Sequence, residues 1–295
     1  MALANVLGGL NPTQIAQETA KTLLPKLAGL QYFTLDLSND IREKGEAVVT
    51  RVVTAYTSQD TSAGYTAVLQ NTTTTAITVT LNQEKGVPIA FTDAQIAKAA
   101  VNLQTMVYEP LANAAAKDIY DYLFALILNA NFSQKVTVAA ASFDSDWLSD
   151  VQTVLNKAYV PDEPRVFIGN SDVMNALRKD TSFKAAYAYG TNGVIRDGVI
   201  TRGMGFDLME FTFLPSNSEN LIGFGCGRQG IAFAARRLPD PTNWSGLVEN
   251  ITVAGVPFQF RMWYEPELKY TWLAMDCLYG ASKAVTANIC RVVSA

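Results

Sequence analysis

The stretch from Glu46 to Phe91 constrains this chain more than any other. Its apolar residues recur with a period of two: Val48 and Val52, then Ile77, Val79 and Leu81, then Val87, Ile89 and Phe91. Ile77, Val79 and Leu81 alternate with Thr78, Thr80 and Asn82, which gives one apolar face and one hydroxyl-rich face. Between the strand-like runs lies 57–75, rich in Thr and Ser, with Asp60 as its only charge. Structureless loops of that length are uncommon in compact domains and are usually functional. Read as a hairpin, about 10 extended residues at roughly 3.3 Å each carry the tip some ~30 Å from its base. A two-stranded ribbon alone in water is marginal. Either a neighbouring molecule covers it, or it folds back as the edge of a local sheet.

Immediately after this stretch the period changes to that of a helix. Thr92 opens it, with Gln95 at capping-box spacing. Ile96, Ala99, Leu103, Met106, Val107, Leu111, Ala115, Ile119, Tyr122, Leu123 and Leu126 then recur at helical spacing to about Ala130. An unbroken helix of that length would exceed ~50 Å, which suits a strut, and Pro110 should bend it. Near the amino terminus, Asn11, Pro12 and Gln14 read as a helix start. Ile15, Thr19, Thr22, Leu23 and Leu27 share one face, Pro25 kinks or ends the helix, and Gly29 closes it. This arm has too little apolar surface to fold alone.

The second half reads as mixed helix and strand. Trp147, Leu148, Val151, Val154, Leu155 and Ala158 form a helical stripe, 164–169 is a buried strand, and Asn170 or Ser171 caps a short helix through Lys179. Strands are expected around Val199–Phe213, Leu221–Phe224, Ile251–Trp263, Lys269–Leu278 and Val285–Val292.

Composition removes much chemistry. The chain of 295 residues has no histidine, so no Ser-His-Asp or Cys-His nucleophile and no histidine-ligated metal is possible. Its net charge of −4 argues against gripping nucleic-acid phosphates. Charged residues make up only 17%, against about 25% in ordinary domains, which suits a surface covered by other chains. Cys226, Cys277 and Cys290 fit no zinc or redox spacing and read as reduced core thiols. The amino terminus lacks the positive start of a signal peptide, and no apolar run approaches the ~20 residues of a membrane span.

Gly225-Cys226-Gly227-Arg228-Gln229-Gly230 is formally a G-x-G-x-x-G after a short strand, with Glu249 farther on. Only Ile231–Arg237 remain before Pro239 and Pro241, too few for the crossover helix of a nucleotide-binding unit, so a tight glycine turn is the better account. Arg236-Arg237 reads as a solvated or intersubunit pair, and the carboxylates Asp118, Asp121, Asp144, Asp146 and Asp150 read as helix-surface and capping residues. No catalytic, cofactor-binding or metal-binding residue is expected, and an enzyme built on the glycine turn is the remaining option from another class.

The order of elements resembles the major capsid protein of tailed double-stranded-DNA bacteriophages, the Hong Kong 97-type fold. Gly45 with Val48 and Arg51 looks like the lead-in to that family's extended loop, and Lys85-Gly86-Val87-Pro88 with Phe91-Thr92-Asp93 looks like its exit into the spine helix. Pro110-Leu111-Ala112 with Asp118 is similar to the middle of that helix. Gly193, Ile195, Gly198, Ile200 and Gly205-Phe206 resemble a later loop and strand, and Gly230–Ala234 and Asp276–Gly280 resemble two late segments.

The resemblance implies an α+β fold divided into an amino-terminal arm (1–42), an extended β-hairpin loop (43–91), a spine helix with peripheral domain (92–142), an axial domain (143–253), peripheral strands (254–282) and a carboxy-terminal strand returning to the axial domain (283–295). It implies no enzyme and no cofactor. The chain would be a homo-oligomer of pentamers and hexamers in an icosahedral shell, with scaffolding, portal and decoration proteins as further partners. The shell would enclose double-stranded DNA without sequence-specific binding, involve no membrane, and assemble in the host bacterial cytoplasm into a virion. The loop would lie over a neighbour, with Tyr56, Gln59, Asp60, Tyr65, Val68 and Leu69 as intersubunit residues and Pro110 as the spine bend, and the arm would reach another subunit. No lysine occurs between Val52 and Glu84, so a loop-borne lysine–asparagine weld of the kind some relatives use is not expected. An encapsulin-type nanocompartment shares the fold and is the alternative.

Overall fold

The computed structural model describes residues 12–38, 46–53, 56, 58, 60–62, 74–98, 103–185, 202–212, 214, 217–242 and 246–294. α1 (Pro12–Leu27) and the short α2 (Leu30–Phe33) lead into β1 (Thr34–Asp36). Then come β2 (Ala47–Val53), β3 (Thr74–Thr80), β4 (Gln83–Thr92), α3 (Asp93–Lys98) and α4 (Leu103–Ala125). The second half runs β5 (Lys135–Thr137), α5 (Ser145–Lys157), β6 (Arg165–Gly169), α6 (Ser171–Lys179), α7 (Thr181–Ala185), β7 (Arg202–Gly203), β8 (Phe206–Glu210) and β9 (Leu221–Gly227). It closes with β10 (Ile231–Arg236), β11 (Leu247–Val253), β12 (Val256–Glu265), β13 (Tyr270–Lys283) and β14 (Ile289–Val293).

Among the described residues the strands form two six-stranded sheets and one separate two-stranded ribbon, β2–β3. The first sheet has the order β1-β10-β13-β12-β11. Residues 270–276 of β13 pair β12 and β4 at once, so β4 runs along the opposite edge of β13. The second sheet has the order β5-β14-β9-β6-β8-β7.

This division corrects the expected one. β10 and β11 fall within 143–253 yet pair β13 and β12, in the first sheet. β5 falls within 92–142 yet pairs β14, in the second. The chain changes sheets between β9 and β10 through a three-residue turn at Arg228, Gln229 and Gly230, with Gln229 at φ 66°. β14 joins the second sheet beside β9.

Local signals formed as their chemistry requires. Thr92 and Gln95 cap α3 reciprocally, amide to side chain in both directions at 3.0 and 3.1 Å. Asp144 accepts from the amides of Asp146 and Trp147 at the start of α5, and Asn170 accepts from Val173 at the start of α6. Of the helix expected over 92–130, the described residues give α3 and α4, and α4 ends at Ala125. With 23 residues, α4 measures about 34 Å at ~1.5 Å per residue. The strand expected over Ile251–Trp263 is two strands, divided at Ala254-Gly255 with φ of 51° and 84°. That is the mirror-image two-residue turn whose twist suits a hairpin.

The arm is not free over its described length. Ile15, Ala16, Thr19, Leu23 and Leu27 are buried, and α1 packs on α4 of its own chain. Tyr120 of α4 donates to the Lys26 carbonyl at 2.8 Å, which satisfies an orphan acceptor at the end of α1, one residue past Pro25. The core here is aromatic: Phe124 meets Phe33, Tyr120, Phe211 and Phe224, so one cluster spans α1, α2, α4 and strands of both sheets. A second core joins α5 and α6 to the second sheet through Leu148, Val151, Leu155, Phe167 and Phe206.

Candidate assembly interface

The ribbon pairs over seven positions, from Ala47 opposite Thr80 to Val53 opposite Thr74. Its root is anchored on its own chain: Val48, Ile77, Val79 and Leu81 bury one face against Leu37, Ala232 and Ala234. The hydroxyl-rich face stays outside, and Val49 beside it is 59% exposed. The local-sheet reading of 46–91 therefore holds for its last part. The run 83–92 is the edge of a local sheet, paired along its length with β13, and among the described residues 47–53 and 74–80 make the ribbon. The expectation of one projecting hairpin over 43–91 is corrected accordingly: β4 hydrogen-bonds along β13 from Gln83 to Thr92 and belongs to that sheet.

The crossing from ribbon to sheet is tight. A Cβ at residue 280 would lie 2.0 Å from the Thr80 carbonyl oxygen, so β13 carries glycine where β3 passes over it. Tyr122 of α4 donates to the Asn82 side chain at 3.1 Å. Tyr279 donates to Asp118 of α4 at 2.5 Å, and Lys85 of β4 lies 3.8 Å from the same carboxylate. Burial, together with the Asp118 hydrogen bond, holds the Tyr279 phenol well above its ordinary pKa. Ribbon exit, sheet edge and α4 are thus tied at three points.

Of the loop residues expected to contact neighbours, Tyr56 is 60% exposed. Asp60 is also exposed, and the Ser62 amide hydrogen-bonded to it at 2.9 Å draws its carboxyl below the ordinary range. Gln59, Tyr65, Val68 and Leu69 lie outside the described residues. Pro110 sits inside α4 on its exposed side, next to the buried Leu111 and Ala112.

The glycine motif is a packing device. A Cβ at Gly225 would fall 2.5 Å from Val151 of α5, one at Gly227 2.7 Å from Val160, and one at Gly230 2.6 Å from Ile289. These glycines let α5, the Val160 segment after it and β14 approach the β9–β10 turn closely. All three cysteines are buried and free, and burial pushes the Cys226 thiol up to about 12. Among the described residues no group of carboxylates and thiols could hold a metal ion, and no helix is long and apolar enough to cross a membrane.

Sequence reasoning missed one node that fixes the two halves of the chain. Arg291 of β14 is 2% exposed. It donates to the Phe132 carbonyl (2.7 Å), the Asn129 side chain (2.8 Å) and Glu219, and Glu219 also accepts from the Asn129 amide. A lone arginine inside the apolar run Ile289–Val293 was the available signal, since a cation buried in a strand requires partners.

A family model described as phage capsid protein matches residues 78–247. Among solved structures, a chain of Mycobacterium phage Che8 is 18% identical, with 84% of this chain and 85% of that chain covered at a TM-score of 0.62. The capsid structure of the Cyanophage P-SCSP1u is 12% identical, with 90% and 86% covered at 0.65. The Cyanophage Pam1 capsid asymmetric unit is 12% identical, with 90% and 91% covered at 0.63. At these identities the likeness establishes a shared fold. No curated protein matches.

Proposed function

The chain belongs to the phage capsid protein family, and we propose that it is the repeating coat subunit of a Hong Kong 97-type shell built from pentamers and hexamers around double-stranded DNA. It is a structural protein and a component of the virion. The observation that carries the finer reading is the β2–β3 ribbon, which among the described residues pairs only with itself and is buried at its root. Such a ribbon gains stability when the rest of it lies on a second molecule.

On this reading 57–73 and the flanking Tyr56 rest on the adjacent subunit, and Gln59, Asp60, Tyr65, Val68 and Leu69 belong to that contact. α4 acts as the spine, with Pro110 setting its curvature. The sheet around β12 and β13 forms the peripheral part and the sheet around β6 and β9 the axial part. Residues 1–11, which precede the docked α1, are the portion of the arm left to reach a neighbour. Many modest contacts closed into a shell supply avidity that no single one gives. A net charge of −4 suits a wall that does not grip its contents. Scaffolding, portal and decoration proteins would be its partners, with assembly in the host cytoplasm. Neither the family match nor the phage relatives favour the nanocompartment alternative.

Replacing 57–73 by a short Gly-Ser turn tests the ribbon's role. The variant should fold with an unchanged melting temperature and fail to close shells in electron micrographs. Normal shells from that variant would contradict the assignment.

A further inference from the structure

α5 ends in a motif that ordinarily calls for glycine. The Val160 amide donates to the Leu155 carbonyl at 3.1 Å and the Tyr159 amide donates to the Asn156 carbonyl at 3.0 Å. This paired pattern places the first of the two donors in the left-handed region, where glycine dominates and asparagine follows. Tyr159 occupies it at φ 57° with its side chain 95% exposed. An aromatic there costs conformational strain and covers nothing on its own subunit.

The turn is nevertheless held firmly. Buried Arg165 donates to the Pro161 carbonyl (2.8 Å), the Asn156 side chain (2.6 Å) and the Val160 carbonyl. Val160 itself is buried in the second core.

A second turn repeats the arrangement. β7 and β8 are joined by Met204-Gly205 at φ 46° and 78°, a turn whose first position favours asparagine, yet Met204 stands there 43% exposed. Arg202 of β7 bonds Glu163 of the Tyr159 loop, and a Cβ at Gly205 would lie 2.8 Å from Gln152 of α5, so both turns are braced on one end of the second sheet. Charges of both signs surround them: Asp162, Glu163, Arg202 and Asp207 are all more than half exposed.

Rigid apolar anchors ringed by mixed charge are the anatomy of an interface hot spot. We infer that Tyr159 and Met204 are pre-set anchors of a contact with a second copy of this chain, distinct from the ribbon contact. The inference rests on the shell reading above. A closed shell needs each subunit to be held from more than one side, and the ribbon supplies one side.

The test compares full-length wild type with Tyr159→Asn, Tyr159→Phe and Met204→Asn by sedimentation across a concentration series, alongside thermal melts of dissociated subunits. Asparagine suits both backbone positions, so Tyr159→Asn and Met204→Asn should keep or raise the melting temperature while raising the concentration for half-assembly about tenfold or more. Tyr159→Phe should assemble like wild type. Wild type assembling with Tyr159→Asn at the same concentration would overturn this inference and leave the shell reading standing. A melting temperature that falls in step with assembly would overturn it too, by showing that the ring works within its own subunit. Wild type remaining dissociated at every concentration would overturn both.

Discussion

Glu210 shows how a single side chain contributes to the acid stability of this subunit. Arg178 hydrogen-bonded to it holds its carboxyl below the ordinary 4.5. A carboxylate with a lowered folded-state pKa stabilises the protein above its unfolded value, and that stability is lost as pH falls through the folded value. Glu210→Gln should therefore melt at a less pH-dependent temperature below about pH 4.5, read as a shallower slope of melting temperature against pH; an unchanged slope would contradict the ion pair's role. Legibility at this scale followed locality. Asp144, Asn170 and the Thr92–Gln95 box act on amides two or three residues away, and the sequence exposes them. Arg291 acts on Asn129, Phe132 and Glu219, far off along the chain, and Tyr159 replaces the glycine that would have marked its turn. The apolar run around Arg291 signalled that it needs partners, but neither those partners nor the backbone turn at Tyr159 could be read from neighbours.

Between elements, the contact that decides the ribbon's posture is Gly280 under Thr80. A methyl group there meets backbone, which cannot rotate aside, so β3 or β13 must shift. Gly280→Ala should cost about 1–3 kcal/mol in denaturant unfolding, with amides of β2 and β3 exchanging before those of the first sheet. Equal stability and unchanged exchange would refute the crossing as the ribbon's anchor. The period of two over 46–91 was legible, but the partner of each strand was not: β4 carries the same alternation as β3 and pairs a strand nearly two hundred residues on. Likewise β11 and β12 read as one strand because Ala254-Gly255 lacks the Asn or Asp that usually announces such a turn. The long apolar stripe of 92–130 is helical over its described residues up to Ala125, five residues short of the expected end.

For the whole molecule, element order carried the family and pairing carried the architecture. The resemblance needed only the sequence of ribbon, helix and mixed half. The division into two sheets required knowing that the chain changes sheets at 228–230 and that β5 and β14 meet. The arm illustrates the same limit: its amphipathic face was visible, whereas its docking on α4 of its own chain was not. The central claim is that these subunits close into a container. Electron microscopy of the purified full-length chain, with mass measured by analytical ultracentrifugation, tests it most directly. The account predicts hollow particles of uniform diameter with five-fold and six-fold clusters of subunits; a chain that sediments as a monomer at every concentration and leaves no particles on the grid would contradict it.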